Sequence, residues 1–490
     1  MIRSIRPKTQ QEFVNPPIYA ILSAAVFFGW ILAVPFEGQI IRELLVQAGL
    51  SFPLLGLTAI GVHVLGLMTG ALSVKSLLQA WKVMVTAVCL CLLSSLVLFM
   101  SQLNMWIPSI LVMAYFSGIY VASWAVMLKD LIPRSSRYTA VVDVLILSNI
   151  LMIALDMVTV NWSFFVGKIL AMLLLFAVLF LLWQLRPTIF PEGIQDSPLV
   201  SAQIDKRSHN HSIVRPFAWL CLFILTITIN SGIMYQIIMP AYDHFPLLAS
   251  FYWAVPYIAA LALLRNLPEK ANRSNTLYLA LAMMGLGYLL FMVLPANASS
   301  FVFVNTLMLG ALGIFDLFWW SLMISFLDHT TRPAAILGVG LAANVTGILI
   351  GGIIGSSIMQ PHAGNVSLAA FAVIFISLAI LPLVNRELSK VFRSHVFLSN
   401  AGQQQDQDTQ SAGESPPPDP MIQLRETYHL TDREMEIIRY LSKGYTYRAI
   451  AEMLEITEHT IKFHARNIYQ KIQVKNKTEL IRTITHQPPN

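Results

Sequence analysis

Residues 164–185, FFVGKILAMLLLFAVLFLLWQL, hold a single charged side chain, Lys168, in 22 positions. A helix with no polar face is buried on every side, in protein or in lipid. At 1.5 Å per residue the stretch reaches about 33 Å, enough to cross the roughly 30 Å of bilayer hydrocarbon. Comparable stretches flank it on both sides, at 17–35, 52–72, 83–101, 106–128 and 138–160, and after a polar interruption at 216–239, 247–264, 276–294, 300–327, 334–358 and 366–385, twelve in all. Across the 490 residues, 56% are hydrophobic and only 12% are charged, against about 25% charged in an ordinary soluble protein. The composition excludes a soluble enzyme and predicts an all-α integral membrane protein.

The longest interruption, 186–215, divides the spans six plus six. Lys and Arg collect in the loops of one side: 19 lie there, from Arg3, Arg6 and Lys8 through Arg134 and Arg137 to Arg386, Lys390 and Arg393, while the other side holds Arg42 and the borderline Lys168. This asymmetry predicts both termini in the cytoplasm. The segment from Arg3 to Lys8 leads into an apolar stretch without an A-x-A-like cleavage site, so the first span is expected to be retained. Cys89, Cys91 and Cys221 offer neither a disulfide framework nor a zinc spacing, and no metal or cofactor is expected. Cys89 and Cys91 should point to different faces of their helix.

Gly118-Ile119-Tyr120 followed by Trp124 in the fourth span matches Gly313-Ile314-Phe315 followed by Trp319 in the tenth, an echo of two parallel repeats. With twelve spans, a 6+6 division and both ends inside, residues 1–393 resemble the major facilitator superfamily in architecture. That family's loop between spans two and three reads roughly G-x-x-x-D-x-x-G-R-K. Here it reads Gly70-Ala-Leu-Ser-Val-Lys75, without the Asp or the Gly-Arg-Lys, a departure that weighs toward sensing over transport. Gly347, Gly351 and Gly355, four apart, predict a smooth face for close helix packing.

Ionisable residues inside a span are costly and mark functional sites. Asp316, beside Trp319 and Trp320, is the foremost candidate for a ligand or proton site, the alternative being a hydrogen-bonded structural carboxyl group. Asp143, His63, Trp124 and Tyr235 complete the candidate effector site. Asp156 and Lys168 are expected to pair, and Asn149, Asn230, Asn305 and Asn344 to form interhelical hydrogen bonds.

After Arg393 the composition changes. Residues 394–420, with Gln403-Gln404-Gln405 and Pro416-Pro417-Pro418, carry four acidic side chains and no Lys or Arg, which predicts a disordered Pro/Gln-rich linker. The remaining 421–490 return to helical periodicity. Thr431-Asp432-Arg433-Glu434 is a capping box opening a helix with Met435, Ile438 and Leu441 inward. A short helix from Arg448 to Leu454 and a turn at Glu455-Ile456 follow. Thr457 caps a third helix with the stripe Ile461, Ala465, Ile468 and Ile472, and a fourth helix starts near Lys475 and buries Leu480 and Ile481. With the stripe inward, the third helix turns Thr460, Lys462, Arg466, Asn467 and Lys471 outward with His464 at the edge, a mixture suited to phosphates and base edges in a major groove.

Leu430-Thr-Asp-Arg-Glu434, Gly444-Tyr-Thr-Tyr-Arg-Ala-Ile-Ala451, Ile456-Thr-Glu-His-Thr-Ile-Lys-Phe-His464 and Ile468-Tyr-Gln-Lys471 together resemble the LuxR-type C-terminal helix-turn-helix domain. The resemblance implies four helices, DNA contact through Thr446, Arg448, Thr460, Lys462 and His464, and a homodimer formed through the last helix. Tyr447, Ala449, Gln473 and Lys477 depart from the family pattern. The whole chain therefore reads as a non-enzymatic, membrane-embedded one-component transcription regulator. Its partners are promoter DNA, membrane lipid, a small-molecule effector and RNA polymerase. The alternative is a major-facilitator-type solute transporter with a regulatory DNA-binding tail.

Overall fold

A computed structural model describes residues 15–48 except 37, then 52–100, 103–190, 213–267 except 243, 246, 247, 249–251 and 253, 274–358, and 363–392 except 390. In the tail it describes 428, 430–442, 446, 447, 450, 451, 454, 457–472, 474, 479 and 480. The linker 394–420, most of the central loop and Arg448 lie outside the described residues. The chain divides into two compact units, Met1–Asn400 and Ala401–Asn490.

The first unit contains α1 (Pro16–Ile31), α2 (Gln39–Ala48), α3 (Phe52–Ser73), α4 (Leu77–Val97), α5 (Leu103–Asp130), α6 (Arg137–Asn161) and α7 (Phe164–Gln184). Its second half contains α8 (Val214–Ile233), α9 (Val255–Arg265), α10 (Ser274–Val293), α11 (Ala298–Leu327), α12 (Pro333–Ile358) and α13 (Ala363–Ser389). Eleven helices among the described residues are long and apolar enough to cross a membrane. Among the described residues the eighth expected span is represented by α9, 11 residues or about 16 Å. Pro256, in the first turn of α9, suits a helix start because proline brings no N–H to the ladder.

Large apolar side chains lie on both sides of the helices. On α7, Leu173, Phe176, Phe180 and Trp183 are exposed at the bundle's periphery, while Gly167, Ala171, Leu175, Val178 and Leu182 are buried. Lipid gives apolar side chains no reason to hide, so helices associate where small residues let backbones approach. Gly347, Gly351 and Gly355 form the expected face: a Cβ on Gly351 would run into the Ile229 carbonyl of α8, and one on Gly232 into the Ile348 carbonyl of α12. The same device joins α5 to α3, where a Cβ on Gly118 would lie 2.5 Å from the His63 carbonyl oxygen.

The two halves pair their helices alike. In the first, α3 and α4 pack on α5, and α6 and α7 pack on α1; in the second, α9 and α10 pack on α11, and α12 and α13 pack on α8. Across the halves, α3 meets α12 and α9 meets α6. Such equivalence is the mark of parallel repeats about an axis along the membrane normal. Even the irregularities repeat, since α1 and α8 each run into a π-helical turn, Leu32–Phe36 and Met234–Ile238. The sequence echo is a packing echo too: Gly118 sits against α3, and Gly313 against the equivalent α9 at Tyr257 and Ala260.

Several expectations change. The amphipathic α2, which buries Ile40, Ile41 and Leu44, was not foreseen because its 10 residues are too few to register as a span. Asp156 and Lys168 do not pair. Asp156 Oδ1 accepts the Gln39 N–H at the start of α2 at 2.9 Å, and Lys168 donates to the Leu98 carbonyl at 3.2 Å with its ammonium 4.6 Å from the Phe164 ring centroid. Asn230 makes no side-chain hydrogen bond among the described residues; its carbonyl instead accepts from Tyr288 Oη at 2.8 Å. Cys89 is exposed and Cys91 buried, as their spacing implies.

At one end the halves are tied by charge. Asp328, just past α11, accepts Arg137 Nη1 at 2.7 Å and Arg134 Nε at 2.8 Å. Arg137 is itself buried and also donates to the carbonyls of Ile132 and Lys129. Asp143 on α6 receives Arg265 of α9 at both oxygens, 2.7 and 3.1 Å. In the second unit, α14 (Asp432–Ser442) and α15 (Glu458–Ile472) enclose a separate core of Leu430, Ile437, Ile438, Leu441, Ile450 and Ile468.

The α8–α12 seam yields a stability test. Gly351→Ala forces a methyl onto the Ile229 carbonyl and should cost about 1–3 kcal/mol, seen as a lower melting temperature of the detergent-solubilised protein. Gly61→Ala, whose Cβ would meet only Leu349 Cδ2 at 3.8 Å, should leave the melt unchanged.

Candidate functional site

Between the halves of the first unit lies a cavity of about 230 Å³. Both halves line it: Phe28, His63 and Asn149 come from the first, and Tyr257, Asp316 and Asn344 from the second. The two π-helical turns each present one side chain to it, Leu32 and Tyr235. Such turns displace the register of a helix and recur at functional sites.

Asp316, on the longest helix of the bundle, is the only acidic side chain lining the cavity among the described residues. Its Oδ2 accepts from Tyr257 Oη at 2.7 Å and its Oδ1 from Trp319 Nε1 at 3.2 Å. Trp319 and Trp320 stack with centroids 5.1 Å apart at 22°. His63 Nδ1 lies 3.0 Å from the Ala114 carbonyl and 2.9 Å from Ser117 Oγ. The carbonyl can only accept, so Nδ1 carries the proton.

Of the expected effector-site residues, Asp316, Trp319, Trp320, Tyr235 and His63 line one cavity, and two do not. Asp143 is committed to Arg265. Trp124 is fully buried behind the wall, donating to the Ala20 carbonyl at 3.1 Å and lying edge-on to Trp320. Sequence reasoning missed Tyr257, which reaches Asp316 from another helix, and assigned Asn149 and Asn344 to structure although both face the cavity. The internal echo held an unused signal: pairing Gly118 with Gly313 sets Val121 opposite Asp316, and both positions line the cavity.

In the tail, Thr431 and Glu434 complete a reciprocal capping box: the Thr431 N–H donates to Glu434 Oε2 at 2.9 Å and the Glu434 N–H to Thr431 Oγ1 at 3.3 Å. Thr457 caps α15 by accepting the Thr460 N–H at 3.2 Å. The stripe Ile461, Ala465, Ile468 and Ile472 is buried as its spacing requires. Opposite it, Lys462 and Arg466 are exposed, Asn467 and His464 are half-buried, and Thr446 is exposed ahead of the preceding helix. Lys462 forms a surface pair with Glu458 at 2.8 Å. The centre of the outward face is Phe463, 60% exposed, a residue the charge-based reading passed over.

Lys471 is held differently from the other expected contacts. Its ammonium lies 2.7 Å from Glu434 Oε2, so the carboxylate that caps α14 also anchors the last turn of α15. Burial raises the Glu434 pKa, yet the hydrogen bonds from Lys471 and Thr431 outweigh it and hold the carboxyl below its ordinary value. Tyr447, in the stretch before α15, meets Tyr469 of α15 through hydroxyls 2.7 Å apart. Burial, then that hydrogen bond, pushes the Tyr469 phenol up, so it stays protonated.

Comparison with known proteins divides along the same line. The GerE model of bacterial regulatory proteins, luxR family, matches residues 428–484. The response regulator protein VraR of Staphylococcus saprophyticus is 42% identical over 62 residues, 12% of this chain and 30% of that protein. The transcriptional regulatory protein DegU of Brevibacillus brevis is 39% identical over 61 residues, 12% and 26% of the two chains. This chain thus spans between a quarter and a third of the length of these curated relatives. Among solved structures, the human organic anion transporter MFSD10 covers 75% of this chain and 98% of its own at 12% identity and a TM-score of 0.56. A bacterial homologue of the iron transporter ferroportin, in its outward-facing state, covers 78% and 99% at 14% identity and a TM-score of 0.53. The fold and the tail define a multi-pass membrane protein bearing a DNA-binding, transcription-regulatory domain. Residues 428–484 match the luxR-family model, and the helices before them share the fold of these transporters.

The Glu434–Lys471 pair predicts a pH dependence. A depressed folded pKa stabilises above the unfolded carboxyl value of about 4.3, and the contribution is lost as pH falls through the folded value. In urea melts followed by circular dichroism, the 421–490 fragment should lose stability on acidification below about pH 5. Glu434→Gln should be about 1–3 kcal/mol less stable at neutral pH and show a smaller acid loss.

Proposed function

We propose that the protein is a membrane-embedded one-component transcription regulator, in which occupancy of the cavity by a small molecule biases promoter binding by the tail. The observation that carries this reading is the union, in one chain, of a capped recognition helix with an open cationic face and a two-half bundle enclosing a cavity. On DNA, Lys462 and Arg466 engage phosphate or base edges, and Thr446, Arg448, Thr460 and His464 lie along the same contact. Asn467 offers bidentate geometry to adenine, and Phe463 presents an apolar surface suited to a thymine methyl. Lys471 serves the domain's interior through Glu434. Both termini lie in the cytoplasm of a bacterial cell, where a homodimer formed through the last helix reads two half-sites. A coupling of about 1–3 kcal/mol between cavity and tail changes promoter occupancy roughly 5- to 150-fold.

The second reading is a carrier with a regulatory tail. It is favoured by a cavity walled by both halves, the arrangement alternating access uses, and opposed by the missing loop Asp and Gly-Arg-Lys. Uptake of the effector into vesicles loaded with the purified protein separates the two, since a regulator that does not carry shows none.

Footprinting of the full-length protein in detergent on the promoters beside its gene tests the DNA reading. Lys462→Ala with Arg466→Ala should weaken binding by about tenfold or more and lower the salt slope by roughly one for each phosphate no longer neutralised. Phe463→Ala should relax sequence preference more than it weakens binding. Protection of no promoter by the wild type, or equal protection by the double variant, rejects the assignment.

A further inference from the structure

We propose that the cavity takes a small organic cation, an ammonium group on a compact apolar or single-ring body, with Asp316 as its counter-charge and the Trp319–Trp320 stack as its platform. This deepens the proposed sensing role and rests on the cavity being the effector site.

Four observations support the assignment. First, both contacts to Asp316 come from donors, Tyr257 Oη and Trp319 Nε1. An ionised carboxylate is acceptor-only, so this pair of donors suits the anion and orients it without neutralising it. Second, no Lys or Arg lines the cavity among the described residues, whereas Asp328 is paired with Arg137, Asp143 with Arg265 and Glu387 with Arg215, and the buried Asp156 is met by the Gln39 N–H at the start of α2. Asp316 is thus a carboxylate inside a membrane bundle whose cationic partner is not supplied by the wall. Such groups pair with one another or mark a pathway for substrate or ion.

Third, the lining suits an organic partner better than a metal ion. A divalent metal ion favours several oxygen ligands, carboxylates foremost, while Asp316 is the only carboxylate here and no group of three His, Cys, Asp or Glu side chains placed to hold a metal exists among the described residues. The stacked indoles, 5.1 Å apart, line the cavity beside Asp316 and are the aromatic type that most favours an ammonium, and Phe28, Leu312 and Ile348 supply apolar wall. Fourth, the volume of about 230 Å³ exceeds the roughly 150 Å³ that accepts a benzene, leaving room for one ring with a short amino arm. The asymmetry of the repeats orients such a guest. The position equivalent to Asp316 is Val121, so the ammonium faces the second half while Val121, Leu145 and Phe28 receive the body.

Three probes on one skeleton test the idea: 2-phenylethylamine, 2-phenylethanol and phenylacetate, titrated by tryptophan fluorescence into the full-length protein in nanodiscs without DNA. The amine should bind at least about tenfold tighter than the alcohol, and phenylacetate should bind weakest. Asp316→Asn should reduce amine affinity by about tenfold or more and spare the alcohol, with Asp316→Glu retaining part of the preference. Equal binding of amine and alcohol, tighter binding of phenylacetate, no saturable signal from the amine, or an unchanged Asp316→Asn variant would each overturn the proposal. Should that variant not fold, the wild-type ranking decides alone. Because no DNA is present, a bound amine that leaves promoter occupancy unmoved would count against the regulator reading and leave the ligand class standing.

Discussion

Hydrocarbon offers no hydrogen-bond partner to a peptide group, so every backbone N–H and C=O within the bilayer must be satisfied by its own helix. The helices that result gain little by hiding apolar side chains, because lipid is as apolar as leucine. What holds them together is proximity, and proximity depends on absent side chains. Gly351 and Gly232 let α12 and α8 touch backbone to backbone, and Gly118 does the same for α5 against α3. The cavity is the space left where these seams end and the halves face one another. Its walls are set by the seams even though no glycine lines it.

The pseudo-two-fold arrangement makes departures from symmetry informative. Equivalent helices pair alike and α1 and α8 end in equivalent π-helical turns, yet Asp316 stands where the other half has Val121. Among the described residues the second half therefore supplies the one carboxylate of the wall, and the first half faces it with Phe28, Val121 and Leu145 beside the uncharged polar Ser148 and Asn149, so a cationic guest has one preferred orientation. The ion pairs of Asp328 and Asp143 join the halves at one end.

The tail concentrates its order in a single carboxylate. Glu434 is 3% exposed, accepts from Thr431 and from Lys471, and so ties the beginning of α14 to the end of α15. This fixes the rotation of α15 about its axis. With Ile461, Ala465, Ile468 and Ile472 buried, that rotation turns Lys462, Phe463 and Arg466 outward together. A lysine that resembles a DNA contact by its charge thereby becomes part of the reason the other cations face outward.

Period and composition by themselves determined the all-α class, the division of a polar tail from an apolar body, the stripe of α15, the capping box and the smooth glycine face. Each depends on residues a few positions apart, where helix geometry alone sets neighbours. The membrane helices were legible, the eighth represented among the described residues by α9, while α2 was too short to leave an apolar signature. Only the tertiary structure decided which polar groups meet. Asp143 found Arg265 across 122 positions, Asp316 found Tyr257 across 59, Lys471 found Glu434 across 37, and Asp156 turned to Gln39 instead of Lys168. Hydrogen bonds and ion pairs form over a few ångströms, and which groups come that close is set by how helices cross, a property no single segment carries.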